Sequence, residues 1–164
     1  MPIEGIEQPS VLTIREDLRL RKYDGVYDFA FAWYQDPETV WMVDGVRRPY
    51  SWDTLRNMYE YLNRRGELYF IEVKTETGYR PVGDVTFWQE DLPIVIGEPA
   101  CRGRGIGKAV IACLVERGRA LGYDTLYVNE IYSFNTASRR CFQSLGFEAY
   151  EKTEKGERFR KRLR

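Results

Sequence analysis

Apolar and polar positions along the 164-residue chain change period several times. Val11 to Arg15 is a short β-branched run that reads as a strand, and from Tyr23 to Tyr34 the residues Val26, Phe29, Ala30 and Trp33 share one helical face. A second helix begins behind the capping residue Ser51, carries Leu55, Met58, Tyr59 and Leu62 at helical spacing, and stops at Gly66. Three strand-like runs follow: Glu67 to Val73, Pro81 to Trp88 and Leu92 to Gly97, the first two joined through the turn-rich Thr75 to Arg80. They predict an antiparallel meander. Beyond it come a helix from Ile106 to Leu121, a strand from Thr125 to Ile131, a helix from Asn135 to Leu145, and strand material from Phe147 onward. No repeat, low-complexity stretch or linker interrupts this order. The expectation is therefore one domain over residues 1–164, of mixed α/β class, with a mainly antiparallel sheet flanked by helices. Residues 1–10, with Pro2 and Pro9, read as a loose arm.

Composition narrows the chemistry. Hydrophobic residues at 43% and charged residues at 30% supply one globular core. The chain has no histidine, which removes histidine-dependent triads and the commonest metal ligand. Cys101, Cys113 and Cys141 are odd in number and lack metal-ligand spacing, so no metal site is expected. The cysteines and an N-terminus unlike a signal peptide point to a reducing, cytoplasmic setting. No apolar run approaches the roughly 20 residues needed to cross a bilayer, so no membrane partner is expected. Charge is divided unevenly. Residues 1–100 hold 11 Lys+Arg against 18 Asp+Glu and residues 101–164 hold 14 against 7, balances of −7 and +7. That asymmetry suits one anionic and one cationic ligand. A nucleic-acid surface is not indicated, because aromatics are sparse in the basic run Arg158 to Arg164, which reads as the last strand.

The sharpest local signal follows the strand that ends near Gly97. Arg102-Gly103-Arg104-Gly105-Ile106-Gly107-Lys108 opens an amphipathic helix with Ala109, Val110, Cys113, Leu114 and Leu121 on its apolar stripe. Glycines at alternate positions let backbone approach a ligand, and the helix start offers unpaired N–H groups and a positive dipole end. Such a turn suits phosphate. The nucleotide P-loop pattern fails at Arg102 and Ala109, and the dinucleotide pattern fails at Lys108. Downstream, Asn135 caps a helix carrying Ser138, Cys141, Phe142 and Leu145, which ends in Gly146-Phe147.

Arg102, Gly105 and Gly107 match the fixed positions of motif A of the GCN5-related N-acetyltransferase (GNAT) superfamily, and the Asn135 to Phe147 segment resembles its motif B. The resemblance covers residues 67–150, and ribosomal-protein-alanine and aminoglycoside 6′-acetyltransferases are the most similar in pattern. It implies a GNAT fold and acetyl transfer from acetyl-CoA to a primary amine in a ternary complex. Residues 102–108 would then take the pyrophosphate, with Arg102, Arg104, Lys108, Arg139 and Arg140 as nearby cations. Asn135, Ser138 and Cys141 would lie against the CoA arm. The family polarises the thioester carbonyl with backbone N–H groups that map to Ile96 and Gly97. At the place where many members have a tyrosine acid, this chain has Phe142.

Amine attack also needs a base and an acid. Glu130 is the favoured base, since alternation along Thr125 to Ile131 sets it beside Leu126 and Val128, where burial would raise its pKa. Glu98 is second. Tyr132, on the same strand face as Glu130, is the preferred acid, with Cys141 next to the missing tyrosine. Glu90 and Asp91 are candidates for holding the acceptor's positive charge. Trp33, Asp36, Glu38, Trp41, Asp44, Tyr50, Trp52 and Asp53 form an aromatic and acidic group suited to a cationic acceptor. The alternatives are an acyl-CoA-binding sensor without turnover and an interaction module that binds no CoA. Homodimers are the commonest assembly for soluble proteins, so a homodimer is the default partner expectation.

Overall fold

The computed structural model describes residues 1–164. Strands β1 (Val11–Arg15), β2 (Leu18–Lys22), β3 (Glu67–Thr75), β4 (Gly78–Phe87) and β5 (Ile94–Ile96) form an antiparallel sheet in that spatial order. Strands β6 (Thr125–Tyr132), β7 (Glu148–Lys152) and β8 (Gly156–Arg162) form a second antiparallel sheet in the order β6-β8-β7. Helices α1 (Pro37–Asp44), α2 (Trp52–Arg65), α3 (Ile106–Ala120) and α4 (Thr136–Ser144) complete the fold. No helix is long and apolar enough to cross a membrane.

The expected meander is present, but the sheet is divided. β5 and β6 belong to different sheets and share no ladder. They are laced only at one end, by the β4–β5 turn. There Tyr127 N–H donates to Gln89 O (2.9 Å), Gln89 Nε2 donates to Thr125 O (3.2 Å), and Asn129 N–H donates to Asp91 Oδ1 (2.9 Å). Past that point the strands part.

Two apolar clusters hold the layers together. Leu18, Leu20, Tyr69, Ile71, Val85 and Phe87 pack with Val110, Leu114, Phe142 and Phe159 on the α3 and α4 side. Leu68 and Phe70 point the other way, toward Trp33, Tyr34, Leu55 and Tyr59 beneath α1 and α2. Covered on both faces, β3 is buried from Glu67 through Glu72. The acid at its start, Glu67, is fully buried and takes Arg117 Nε and Nη2 of α3 at 2.6 and 2.7 Å, so a paired charge fastens α3 to the sheet.

The N-terminal third departs most from its pattern. The expected helix over Tyr23 to Tyr34 is two 3-10 turns, Asp28–Ala30 and Trp33–Gln35, and Val26 is exposed. Gly25 takes a left-handed φ of 87°, and the aromatics pack on other elements: Tyr23 on Tyr59, and Phe29 on Phe70. Tertiary packing overrides the helical period here. β2 lies outside the elements the pattern predicts, although Leu18 and Leu20 alternate with Arg19 and Arg21; those arginines bond to Glu72 of β3 at 2.8 and 2.9 Å. Residues 1–10 contain no helix or strand, yet Gln8 is buried and its Nε2 donates to Leu68 O at 3.0 Å.

Gly97 closes the end of β5 against Trp33. A Cβ built there would lie 2.2 Å from Trp33 Cγ, so the indole occupies the space of a side chain. Gly97→Ala is expected to destabilise the fold by about 1–3 kcal/mol, the usual cost of forcing atoms into a packed core. A urea midpoint unchanged by the substitution would contradict this packing.

Candidate active site

The glycine turn sits where the two sheets diverge. Gly103 and Gly105 adopt φ of 72° and 77°, and Cβ atoms at either would meet nothing. The backbone N–H groups of Gly103 through Lys108 donate to no group in the chain, and those of residues 106 to 108 are the first turn of α3. Six unpaired donors in and after a glycine turn at a helix start suit an anion. At Gly107 a Cβ would lie 3.9 Å from Cys141 Sγ, an ordinary contact distance, so the first turn of α3 lies on α4.

Ile96 and Gly97 divide in role. Thr86 N–H donates to Pro93 O (3.0 Å) and Gly97 N–H donates to Val82 O (2.8 Å). Positions 93, 95 and 97 therefore face β4, and Ile96 turns its N–H and C=O toward the gap left by β6. Ile96 N–H faces away from β4 and is not spent on the sheet. Gly97 N–H, expected to help polarise a carbonyl, is committed to the sheet.

The cations divide similarly. Arg104, Lys108 and Arg140 form no ion pair. Arg139 pairs with Glu157 at 2.7 Å, and Arg102 turns back onto the protein, donating from Nε to Ile96 O (3.0 Å) and from Nη2 to Thr39 Oγ1 (2.8 Å). Asn135 caps α4 by accepting from Ser138 N–H at 3.2 Å, and its amide nitrogen has no partner in the chain. Burial raises the Cys141 thiol pKa, with Lys108 opposing, so the thiol stays protonated and is a poor nucleophile. Phe142, at the family's tyrosine position, is buried edge-on against Phe147 (centroids 5.1 Å apart).

Glu130 is not buried beside Leu126 and Val128 as alternation implied. A bulge between Val128 and Ile131 shifts the register, turning Asn129 and Glu130 outward while Ile131 returns to the core. Glu130 Oε2 accepts from Thr153 Oγ1. Tyr132 is half-buried, stacked on Phe134, and its pKa is raised by burial and then by the charges of Glu130 and Asp44. It is a protonated donor at neutral pH. Glu98 is occupied, accepting from Trp33 Nε1 (3.1 Å) and pairing with Arg80 (3.1 Å). Asp91 accepts from Leu92 and Asn129 N–H groups, and Glu90 lies beside it in the same turn.

The acceptor-side group is only partly brought together. Trp41 stacks on Phe134 at 4.3 Å, and Asp44 accepts from Tyr50 Oη at 2.5 Å, which places α1 against Tyr132 and Phe134. Trp33 is core, Asp36 caps α1, and Glu38 pairs with Arg47. Trp52 stacks on Phe31, and Asp53 pairs with Arg56.

A sequence profile described as an acetyltransferase (GNAT) domain matches residues 17–148. The chain belongs to the GNAT acetyltransferase family. A search of the curated proteins finds no match. Among solved structures, a domain from Methanocaldococcus jannaschii superposes with a TM-score of 0.76 at 20% identity, covering 88% of this chain and 97% of that one. An aminoglycoside 6′-acetyltransferase with coenzyme A bound superposes at 0.70 and 15% identity, covering 88% and 94%. A protein from Salmonella typhimurium solved with its cofactor acetyl-CoA superposes at 0.60 and 18% identity, covering 91% and 95%. At these identities the likeness is one of fold.

This GNAT domain also buries an acid that its sequence did not mark. Asp84 of β4 lies beneath α1 and α2, and its Oδ2 accepts from both Tyr34 Oη (2.7 Å) and Tyr59 Oη (2.8 Å). No cation pairs with it, and burial pushes its pKa up to about 6 against the partial relief of those two hydroxyls. The only sequence signal was an acid inside an apolar strand.

Because the folded pKa exceeds the ordinary value of 3.8, the folded chain holds this proton more tightly than the unfolded chain. The resulting stability is present below about pH 4 and is lost as pH rises through about 6, on the order of 3 kcal/mol in all. Asp84→Asn is expected to remove this part of the pH dependence in urea unfolding series between about pH 4 and 7.5. Identical pH profiles for the two proteins would refute the assignment.

Proposed function

We propose that this chain transfers an acetyl group from acetyl-CoA to a primary amine by direct attack in a ternary complex. The carrying observation is the run of six unpaired N–H groups from Gly103 to Lys108 at the start of α3, beside a strand edge that presents Ile96 N–H. The cradle suits a pyrophosphate, with Arg104, Lys108 and Arg140 as unpaired cations around it. Asn135 has a free amide donor for the pantetheine arm, with Ser138 and Cys141 lining the same helix. Gly97 contributes by seating β5 on Trp33.

Acetyl-CoA supplies an activated acyl group whose leaving thiol departs more readily when protonated or stabilised. The protein's part is electrostatic and positional. Ile96 N–H polarises the carbonyl. Glu130, turned out of the sheet by the bulge and oriented by Thr153, takes a proton from the amine directly or through one water. Tyr132 keeps its proton beside Glu130 and can deliver it to the thiolate in place of the tyrosine absent at Phe142. Asp44, Glu130, Trp41 and Tyr132 give the acceptor side a negative, aromatic character suited to a cationic amine. The aminoglycoside acetyltransferase among the structural neighbours is one precedent for such an acceptor.

Acetyl-CoA at about 100 times its Kd is expected to stabilise the protein by roughly 2.7 kcal/mol, raising Tm by about 5–10 °C, while ATP and NAD have no such effect. No rise with acetyl-CoA would remove the cofactor assignment. The acceptor is tested by thiol release with spermidine, kanamycin and a peptide bearing a free N-terminal alanine. Glu130→Gln is expected to lower kcat by about 10²–10⁴-fold without weakening acetyl-CoA binding. Turnover unaffected by the substitution would take the base role from Glu130, and binding without turnover of any amine would favour the sensor reading.

A further inference from the structure

The first arginine of the glycine turn is engaged elsewhere than the cradle. Arg102 Nε donates to Ile96 O at 3.0 Å and Nη2 donates to Thr39 Oγ1 at 2.8 Å, while Nη1 lies 3.7 Å from Asp36 Oδ2. Those three groups belong to two structures that meet nowhere else through side chains of the turn: the open end of β5 and the first turn of α1. Thr39 is 3% exposed, and its hydroxyl donates to Asp36 Oδ2 (3.2 Å) while accepting from Arg102. Asp36 in turn caps α1 by accepting from Glu38 N–H at 3.1 Å. The guanidinium therefore grips the capping assembly of the helix.

α1 needs such a grip. It has eight residues, shorter than a helix that persists alone in water. Its far end carries Trp41 and Asp44 and turns at Gly45, where a Cβ would lie 3.8 Å from the Tyr132 ring. A shift of the N-terminal turn moves this end, because the hydrogen-bonded helix transmits it as a rigid body. Were the guanidinium to swing to a phosphate, it would leave a buried hydroxyl without its donor and release Ile96 O.

We propose that Arg102 is a positioning residue for the acceptor: its guanidinium sets the first turn of α1 against the end of β5, and the pyrophosphate is left to the backbone of residues 103–108. The inference rests on the reading of α1 as the acceptor wall. It assigns to Arg102 a part different from the one its motif position suggests. A single ammonium nitrogen cannot span Ile96 O and Thr39 Oγ1 as the planar fork does through Nε and Nη2, so lysine should not substitute for it.

The test uses Arg102→Ala, Arg102→Lys, Thr39→Val and the Arg102→Ala/Thr39→Val double variant. Acetyl-CoA Kd is measured by calorimetry, with KM and kcat for the fastest amine of the three named above. Arg102→Ala and Thr39→Val are each expected to raise the amine KM by about tenfold while acetyl-CoA Kd stays within about twofold, with the double variant no worse than Arg102→Ala. Arg102→Lys should resemble Arg102→Ala. Loss of acetyl-CoA affinity by about tenfold in Arg102→Ala, with Thr39→Val behaving as wild type, would overturn the proposal in favour of a phosphate ligand. Should Arg102→Ala not fold, Thr39→Val alone decides by the same two constants. If acetyl-CoA binds but none of the amines is acetylated, the amine reading fails separately. Amide hydrogen exchange over residues 37–44 then judges Arg102: faster exchange in Arg102→Ala and Thr39→Val supports it, and unchanged exchange refutes it.

Discussion

The candidate site depends on two strands, β5 and β6, that are laced at one end and belong to different sheets. The lacing is a handful of polar bonds from the β4–β5 turn to β6, through Gln89 and Asp91. Where it ends, β5 and β6 leave an open edge in the middle of the protein, which an ordinary sheet would have closed with hydrogen bonds. α3 starts at the opening and carries its unpaired N–H groups there. The cradle and the Ile96 edge are thus two sets of backbone donors that the fold has not satisfied internally, brought to one place by one geometric decision.

The opening remains stable because the surrounding layers are tightly committed. Buried acids show three solutions to the same desolvation problem. Glu67 is answered by two nitrogens of Arg117, and Glu72 by Arg19 and Arg21. Asp84 has only the hydroxyls of Tyr34 and Tyr59, and burial pushes its pKa up. Neutral donors relieve part of the cost of burying a charge, while a guanidinium relieves most of it. The α1 and α2 layer over Asp84 consequently loses stability as pH rises through about 6.

The groups proposed as base and acid occupy a less committed surface. Glu130 and Tyr132 stand on the strand that left the sheet, the former exposed by a bulge and the latter leaning on the loop before α4. Trp41 and Phe134 bridge from α1 to that loop. The proposed acceptor side joins α1 to the β6–α4 segment, far away in sequence, whereas the glycine cradle is one continuous turn.

That division explains what could be read in advance. The sequence by itself determined the cradle, because glycine spacing and an amphipathic helix start are local properties of seven residues, and it determined the meander and the β6-α4 alternation through hydrophobic period. It also determined the absence of histidine chemistry. Only the tertiary structure decided that Tyr23 to Tyr34 would coil into two short turns, that Gly97 N–H would be spent on Val82 while Ile96 stayed free, and that Arg102 would turn toward Thr39. The same holds for Glu130, whose outward direction follows from a bulge set by pairing with β8. Each of these outcomes depends on which groups meet across long sequence separations. Period and propensity describe a residue's neighbours along the chain, whereas burial and hydrogen-bond partners are set by neighbours in space.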